Sequence, residues 1–297
     1  MSKRQKGNWT SNRKEPPERK PDGAQTVPGR YEAAADGPLE WASLELEMPF
    51  HFDRSLARRL VRREVNPKEA FTVRDAAGVF FRASVKELDE NGGVAVPYER
   101  LSVSPEPVVE ITLACAVLAR QRMIFVVQKA TELGVARIVP ILTDYAVPAH
   151  GLEHEKAFAW PGQIIRAAKQ CRRSSLPELR SPIPLDAFLA SHTVTGAELC
   201  LCLDNVPGRA PALVNNPRRI LLIVGPEGGF SDTERKKLED KTLPWILGGR
   251  VLRAEPAVIV GLTAVHLRWG DFRCDPAGDL PSLSGASGTA GFPVGTA

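Results

Sequence analysis

The densest chemical signal in the chain is Gly225-Pro226-Glu227-Gly228-Gly229, which follows directly on the apolar run Ile220 to Val224. An apolar strand that ends in a glycine-rich loop is a place where backbone can approach a bound molecule closely. In parallel α/β sheets ligands sit at just such carboxyl ends. Ser231 and Glu234 then match S-x-x-E, the capping box that opens a helix. The loop is neither G-x-G-x-x-G nor G-x-x-x-x-G-K-[ST], so dinucleotide and P-loop chemistry fail at their own signatures.

A second segment, Leu247-Gly248-Gly249-Arg250-Val251-Leu252-Arg253-Ala254-Glu255-Pro256, repeats the theme. A strand end reaches a glycine pair, and a helix begins with Pro256 in its first turn, where a missing N–H costs little. Residues 257–267 are nearly all apolar, so that helix reads as buried. Arg253 and Glu255 stand at its mouth, either as a structural ion pair or as a clamp on a substrate. In the third segment, Gln128 to Gly134, an apolar stripe from Met123 to Leu133 ends at Gly134. Lys129 and Glu132 lie outside the stripe at the spacing of an ordinary surface pair.

Other residues carry weaker signals. Arg54, Arg58, Arg59, Arg62 and Arg63 would line one positive face if their segment is helical. Such a face suits phosphates or simply faces water. His150-Gly151-Leu152-Glu153-His154 matches H-x-x-E-H, a zinc-peptidase motif. That motif needs a helix, which Pro148 and Gly151 disfavour, so no metal site is expected. Cys200 and Cys202 alternate along an apolar strand and read as packing on one face. The lone His51, His192 and His266 belong to no constellation.

These segments need a scaffold. Up to Pro105 and Pro107 the chain shows short β-like runs, Phe71 to Arg74, Val79 to Val85 and Val94 to Val96, with Asn91-Gly92 as a hairpin turn. Beyond them the pattern alternates strand and helix, with strands at 108–116, 136–142, 198–203 and 219–224. That alternation predicts an α/β fold with a mostly parallel sheet. Residues 1–40 read as a disordered basic arm and 274–297 as a flexible tail. The formal net charge is +4 over 297 residues, which permits a nucleic-acid partner without demanding one. No apolar stretch approaches the ~18 residues of a membrane span. Five cysteines without a C-x-x-C suggest a reducing cytoplasm rather than a disulfide or zinc framework.

Taken together, Ile111 to Ala114, Gln128 to Gly134, Gln170 to Pro177, Ile223 to Glu234 and Leu247 to Glu255 resemble the ribosomal small-subunit RNA methyltransferase E family. The stretches stand in the family's order, and the resemblance covers about residues 50–273. It implies a PUA-like β-barrel over 41–107 that binds RNA, and a trefoil-knotted SPOUT methyltransferase domain over 108–273. It further implies a homodimer that uses S-adenosylmethionine to methylate ring nitrogen 3 of one uridine in 16S ribosomal RNA. On that reading the cofactor meets Gly225, Pro226, Glu227, Gly228, Leu247, Gly248, Arg250 and Leu252. Arg253 orients or stabilises the uracil, and Glu255 orients Arg253 or accepts a proton. Arg58, Arg59 and Arg62 from the charged face are the expected RNA contacts, with Lys129, Gln170 and Arg173 from the matching stretches. The chain departs from the family where Pro256 replaces a usual Thr and where Asp144-Tyr145-Ala146 replaces Glu-Arg-Ser. Lys169 and Arg172 likewise replace a common Glu and Gly. These departures frame the alternative, an RNA-binding ribosome-assembly protein that keeps the pocket without turnover.

Overall fold

The computed structural model describes residues 30–204 and 215–272. The tail from 274 and residues 1–29 of the arm lie outside them.

Four antiparallel strands and one helix make the first unit: β1 (Phe50–Asp53), α1 (Arg54–Arg62), β2 (Ala70–Arg74), β3 (Phe80–Leu88) and β4 (Gly92–Arg100). The sheet order is β1-β4-β3-β2. Asp53 ends β1 and caps α1, its Oδ1 accepting from Leu56 N at 2.9 Å. One side of α1 then buries Leu56, Ala57 and Leu60 against Phe52, Phe71 and Val85 of the sheet. The Asp89 carboxylate organises the β3–β4 turn, accepting from Asn91 N and Gly92 N. Among the described residues β1 and β2 remain edges, so the pairing stops short of the closed barrel that the resemblance implied.

The second unit runs β5 (Glu110–Ala116), α2 (Arg120–Glu132), β6 (Arg137–Leu142), α3 (Trp160–Cys171), β7 (Glu178–Leu179) and β8 (Ile183–Pro184). It continues α4 (Leu185–Leu189), α5 (His192–Thr195), β9 (Leu199–Leu203), β10 (Arg219–Val224), α6 (Asp232–Glu239), β11 (Leu243–Trp245) and α7 (Ala254–Trp269). The order is β11-β9-β10-β5-β6-β7, with β8 also paired to β6, and the pairings are parallel. The continuous apolar runs of β5 and β10 follow from burial on both faces. Ile220, Leu222 and Val224 meet α2 and α7 on one side, whereas Leu221 and Ile223 meet Phe188 and Leu238 on the other. Cys200 and Cys202 pack together on the second of these faces, as their alternation required.

Residues 30–40 correct the expectation of a disordered arm. Ala33 bridges Leu179, Asp36 bridges Leu176 and Glu40 bridges Arg74, so the segment straps the two units together. Tyr31, Asp36 and Leu39 are buried. The local composition is that of a tail, but partners elsewhere in the chain, in both units, supply the hydrogen bonds that order it.

Candidate functional site

The parallel register places Val224, the last residue of β10, beside Cys115 of β5 and Leu203 of β9. The glycine-rich loop therefore emerges among neighbouring strand ends, where the strand order reverses direction. It opens a cavity of about 370 Å³. Gly225, Pro226, Glu227, Gly228, Leu247, Arg250 and Leu252 line it together. Two segments twenty residues apart in sequence are thus brought to one site. Gly248 does not line the cavity; its φ of 114° shapes the turn instead. Leu203, Asp204, Phe230, Arg235 and Trp245 also line it and were missed by sequence reasoning. Leu203 and Asp204 come from the end of β9, Arg235 from α6 and Trp245 from β11, elements that only the topology gathers beside β10, whereas Phe230 directly follows the glycine-rich loop.

The glycines are required by close approach. A Cβ on Gly225 would stand 2.9 Å from the Phe230 ring, and one on Gly228 2.9 Å from Tyr145 Cβ. Beyond the loop, the expected capping box forms. Glu234 N donates to Ser231 Oγ, and Ser231 N donates to Glu234 Oε2 at 2.9 Å. The other Glu234 oxygen accepts from Asp144 N at 2.8 Å, while the Ser231 hydroxyl donates to Asp144 Oδ2 at 2.6 Å. Burial pushes the Glu234 carboxyl up despite these donors. Arg235 donates to Phe230 O and pairs with Asp204, fastening the far side of the loop to the end of β9.

At the mouth, Arg253 is the N-cap residue of α7, and its side chain is exposed. That side chain makes no hydrogen bond or ion pair among the described residues. Glu255, in the first turn, turns away from the expected role of orienting Arg253 and pairs instead with Arg122 of α2, at 3.9 Å. Arg122 also pairs with Glu227, so one guanidinium joins the glycine-rich loop to the start of α7. The Glu255 carboxylate is 17% exposed, and its Oε2 is buried with no partner. The two alternatives for this pair divide: Glu255 is half committed to structure, and Arg253 is free to act. Arg122 gave no sequence signal because its partners come from two distant segments. Cys115 lies nearby but is inert at neutral pH, since burial, with the Glu255 charge adding to it, pushes the thiol up to about 12.

The arginine-rich segment is a helix, which meets the condition on which its positive face depended. Arg54 and Arg58 are exposed on it. Arg59 is a correction: it donates to Asp36 Oδ1 and to the carbonyls of Gly37 and Pro38, so it holds the strap rather than facing RNA. Arg63 is buried and binds Asp36 and Ser174 O. Arg62 pairs with the same carboxylate at 3.0 Å while staying half exposed. Burial disfavours the Asp36 carboxylate, but the Arg63 and Arg59 guanidiniums outweigh it and hold the carboxyl below the usual range. Arg173 is a second correction. It is buried, pairs with Glu106 at 3.0 Å and donates to Thr131 O and Val135 O, which makes it an internal staple. Lys129 pairs with Glu132 at 2.7 Å, the ordinary surface pair of its spacing. Gln170 is exposed. His150 and His154 fall in a 3-10 turn and the turns after it, so no helix aligns them.

Comparison with known proteins gives this geometry a family. The pattern of the RNA methyltransferase domain matches residues 104–266, more than half of the chain. The chain is 31% identical over 205 residues to the ribosomal RNA small subunit methyltransferase E of Synechocystis, covering 67% of this chain. It spans 66%, just under two thirds, of that relative's own length. A solved Legionella pneumophila methyltransferase in complex with the cofactor SAM aligns with a TM-score of 0.56 at 30% identity, over 79% of this chain and 98% of that one. The ribosomal RNA small subunit methyltransferase E of Neisseria gonorrhoeae, solved bound to S-adenosyl methionine, also aligns at 0.56. It is 26% identical, over 80% of this chain and 99% of its own. A glycine-lined cavity at the parallel strand ends, in a chain with these relatives, belongs to the RNA methyltransferase domain family and, within it, to the ribosomal RNA small subunit methyltransferase E group.

Proposed function

We propose that this protein transfers a methyl group from S-adenosylmethionine to ring nitrogen 3 of a uridine in 16S ribosomal RNA of the small subunit. The observation that carries the reading is the glycine-lined cavity at the strand ends, whose lining residue Ala254 stands in sequence between an exposed Arg253 side chain, unpaired among the described residues, and Glu255, whose Oε2 has no partner. At about 370 Å³ the cavity lies within the range of small-molecule sites. Its bare backbone at Gly225 and Gly228, with Leu203, Trp245 and Leu252 around it, fits a cofactor that has both polar and apolar parts. When bound, S-adenosylmethionine supplies a methyl group open to in-line displacement.

The chain's own residues supply the rest. Uracil N3 carries a proton and attacks well only after losing it, so the site must favour the anion and receive the proton. The Arg253 guanidinium, committed to nothing else, stabilises charge that develops on the uracil oxygens. Glu255 Oε2 is the open acceptor for the proton. Arg122 keeps the loop and the helix start in one geometry, and positioning is a large part of such a displacement. The same reading carries a knotted SPOUT domain, a PUA-like RNA-binding unit, a homodimer and a cytoplasmic setting. No described helix is long and apolar enough to cross a membrane. Mapping methyl-uridine in ribosomal RNA from a deletion strain is the test. Loss of one methyl-uridine supports the reading, and an unchanged pattern refutes it in favour of an assembly protein without turnover.

A further inference from the structure

The antiparallel sheet and α3 leave a cavity of about 270 Å³ between them. It shares no lining residue with the glycine-lined cavity. Its size is just under the ~300 Å³ at the small end of ligand sites. Leu39, Phe71 and Ile165 give it apolar walls, and Arg82, Lys169 and Arg172 give it a cationic one. Glu69 is the single carboxylate along its lining, and it is already paired with Lys169 at 2.6 Å. Arg63 and Arg173, also along the lining, are committed to Asp36 and Glu106.

Two guanidiniums keep spare donors. Arg82 pairs with Glu99 through Nη1, yet its Nε is buried with no partner. A buried donor in that state is costly unless something supplies an acceptor. Arg172 ends α3 in the left-handed region, at φ 61°, and its exposed guanidinium has no partner among the described residues. A long side chain is disfavoured in that conformation, and such strain persists where the side chain is needed. Unspent guanidinium donors beside an aromatic and aliphatic wall match one ligand chemistry well. A base takes the apolar slot and a phosphate takes the arginines. An inorganic anion would not use the apolar wall, and an apolar metabolite would not use the cations.

We propose that this cavity between the two units is a nucleotide subsite, which holds an unstacked nucleotide of the RNA substrate away from the point of methyl transfer. The phosphate lies on Arg172 and Arg82, and the base lies against Phe71 and Ile165. The choice of RNA rests on the methyltransferase reading; the site itself rests on the cavity.

The test uses the full chain and calorimetry with cytidine 5′-monophosphate, cytidine and inorganic phosphate as probes. A cytidine probe avoids occupancy of the uridine site. The nucleotide should bind at least tenfold tighter than either part. Ala70→Trp, at an exposed position along the cavity, should abolish nucleotide binding and leave S-adenosylmethionine binding unchanged. Arg172→Gly should weaken the nucleotide about tenfold while raising the unfolding midpoint, because the strain is released; a purely structural arginine would lower both. Failure of the nucleotide to bind, equal binding of phosphate alone, or nucleotide binding that survives both substitutions would overturn the proposal. If the nucleotide fails to bind while the wild-type chain methylates ribosomal RNA, only the subsite falls. If it binds as described while no methylation occurs, the subsite stands and the enzymatic reading falls.

Discussion

Gly225→Ala gives the sharpest test of the glycine-lined cavity. The added Cβ would stand 2.9 Å from Phe230 Cε2 and 3.2 Å from both Cδ2 and Cζ. Ordinary contact begins near 3.4 Å, so the ring must move by about half an ångström. Phe230 is only 3% exposed and packs among Ile223, Leu238 and other core side chains, so it has little room to retreat. Overpacking of this kind costs about 1–3 kcal/mol. The ring also lines the cavity, so part of that cost falls on the bound state. Each ~1.4 kcal/mol is tenfold in Kd, so S-adenosylmethionine affinity should fall about ten- to a hundredfold. Gly249→Ala is the matched control, because a Cβ there meets nothing within 4 Å. Calorimetry with S-adenosylmethionine, run beside thermal unfolding on both variants, reads the two effects. Gly225→Ala/Phe230→Leu should recover part of the affinity by removing the clashing ring. If Gly225→Ala binds the cofactor as tightly as Gly249→Ala and unfolds at the same temperature, the close-approach argument is wrong.

Other substitutions probe the remaining parts. Arg253→Ala should abolish methyl transfer while S-adenosylmethionine still binds, since the side chain makes no hydrogen bond or ion pair among the described residues; near-normal turnover would remove its role. Arg122→Ala should lower kcat and raise KM for the cofactor together, because it frees both Glu227 and Glu255. Arg122→Lys should restore part of both, and a variant with unchanged constants would show the bridge to be incidental. Asp36→Ala should cost about 3–5 kcal/mol in urea unfolding, because it strands the buried Arg63 charge. The Asp36 carboxyl titrates below its unfolded range, so its contribution is present above the ordinary carboxylate pKa and is lost as pH falls through the folded value. The wild-type stability curve should therefore drop in acid by more than that of Asp36→Ala, and parallel curves would refute the linkage.

What the sequence disclosed and what it concealed divide along the range of the interactions. β10 was legible to the residue because an apolar run bounded by a glycine loop is a local pattern. The capping box was legible because all of its donors and acceptors lie within four residues. The shared face of the arginines was legible only on the condition of a helix, which the structure supplies. The fate of Arg59 and Arg173 was not, because Asp36 and Glu106 are 23 and 67 residues away. Arg122 went unnoticed for the same reason. Its role arises only when strand order carries the Gly225 loop and the start of α7 to one side of α2.

The strap explains how a modest net charge can leave a strongly basic surface. Arg59, Arg62 and Arg63 converge on the single Asp36 carboxylate, so the cluster keeps an excess of positive charge even after pairing. Arg54 and Arg58 add to that excess on the exposed side of the same helix. The pairing does more than neutralise. Arg63 also donates to Ser174 O, just past α3, so α1 is tied to the parallel-sheet unit as well as to the strap. Lys169 reaches back from α3 to Glu69 and Glu64 O and closes the same joint from the other side. Phosphate contacts fix register, and a specific pocket then reads the base. A phosphate held at Arg58 would therefore sit at a set distance from the Gly225 loop, because the joint between them holds the buried Arg63–Asp36 pair and the part-exposed Lys169–Glu69 pair on its two sides. The carboxylate of Asp36, in a segment whose composition reads as a solvated tail, is what makes the basic helix a fixed reference point.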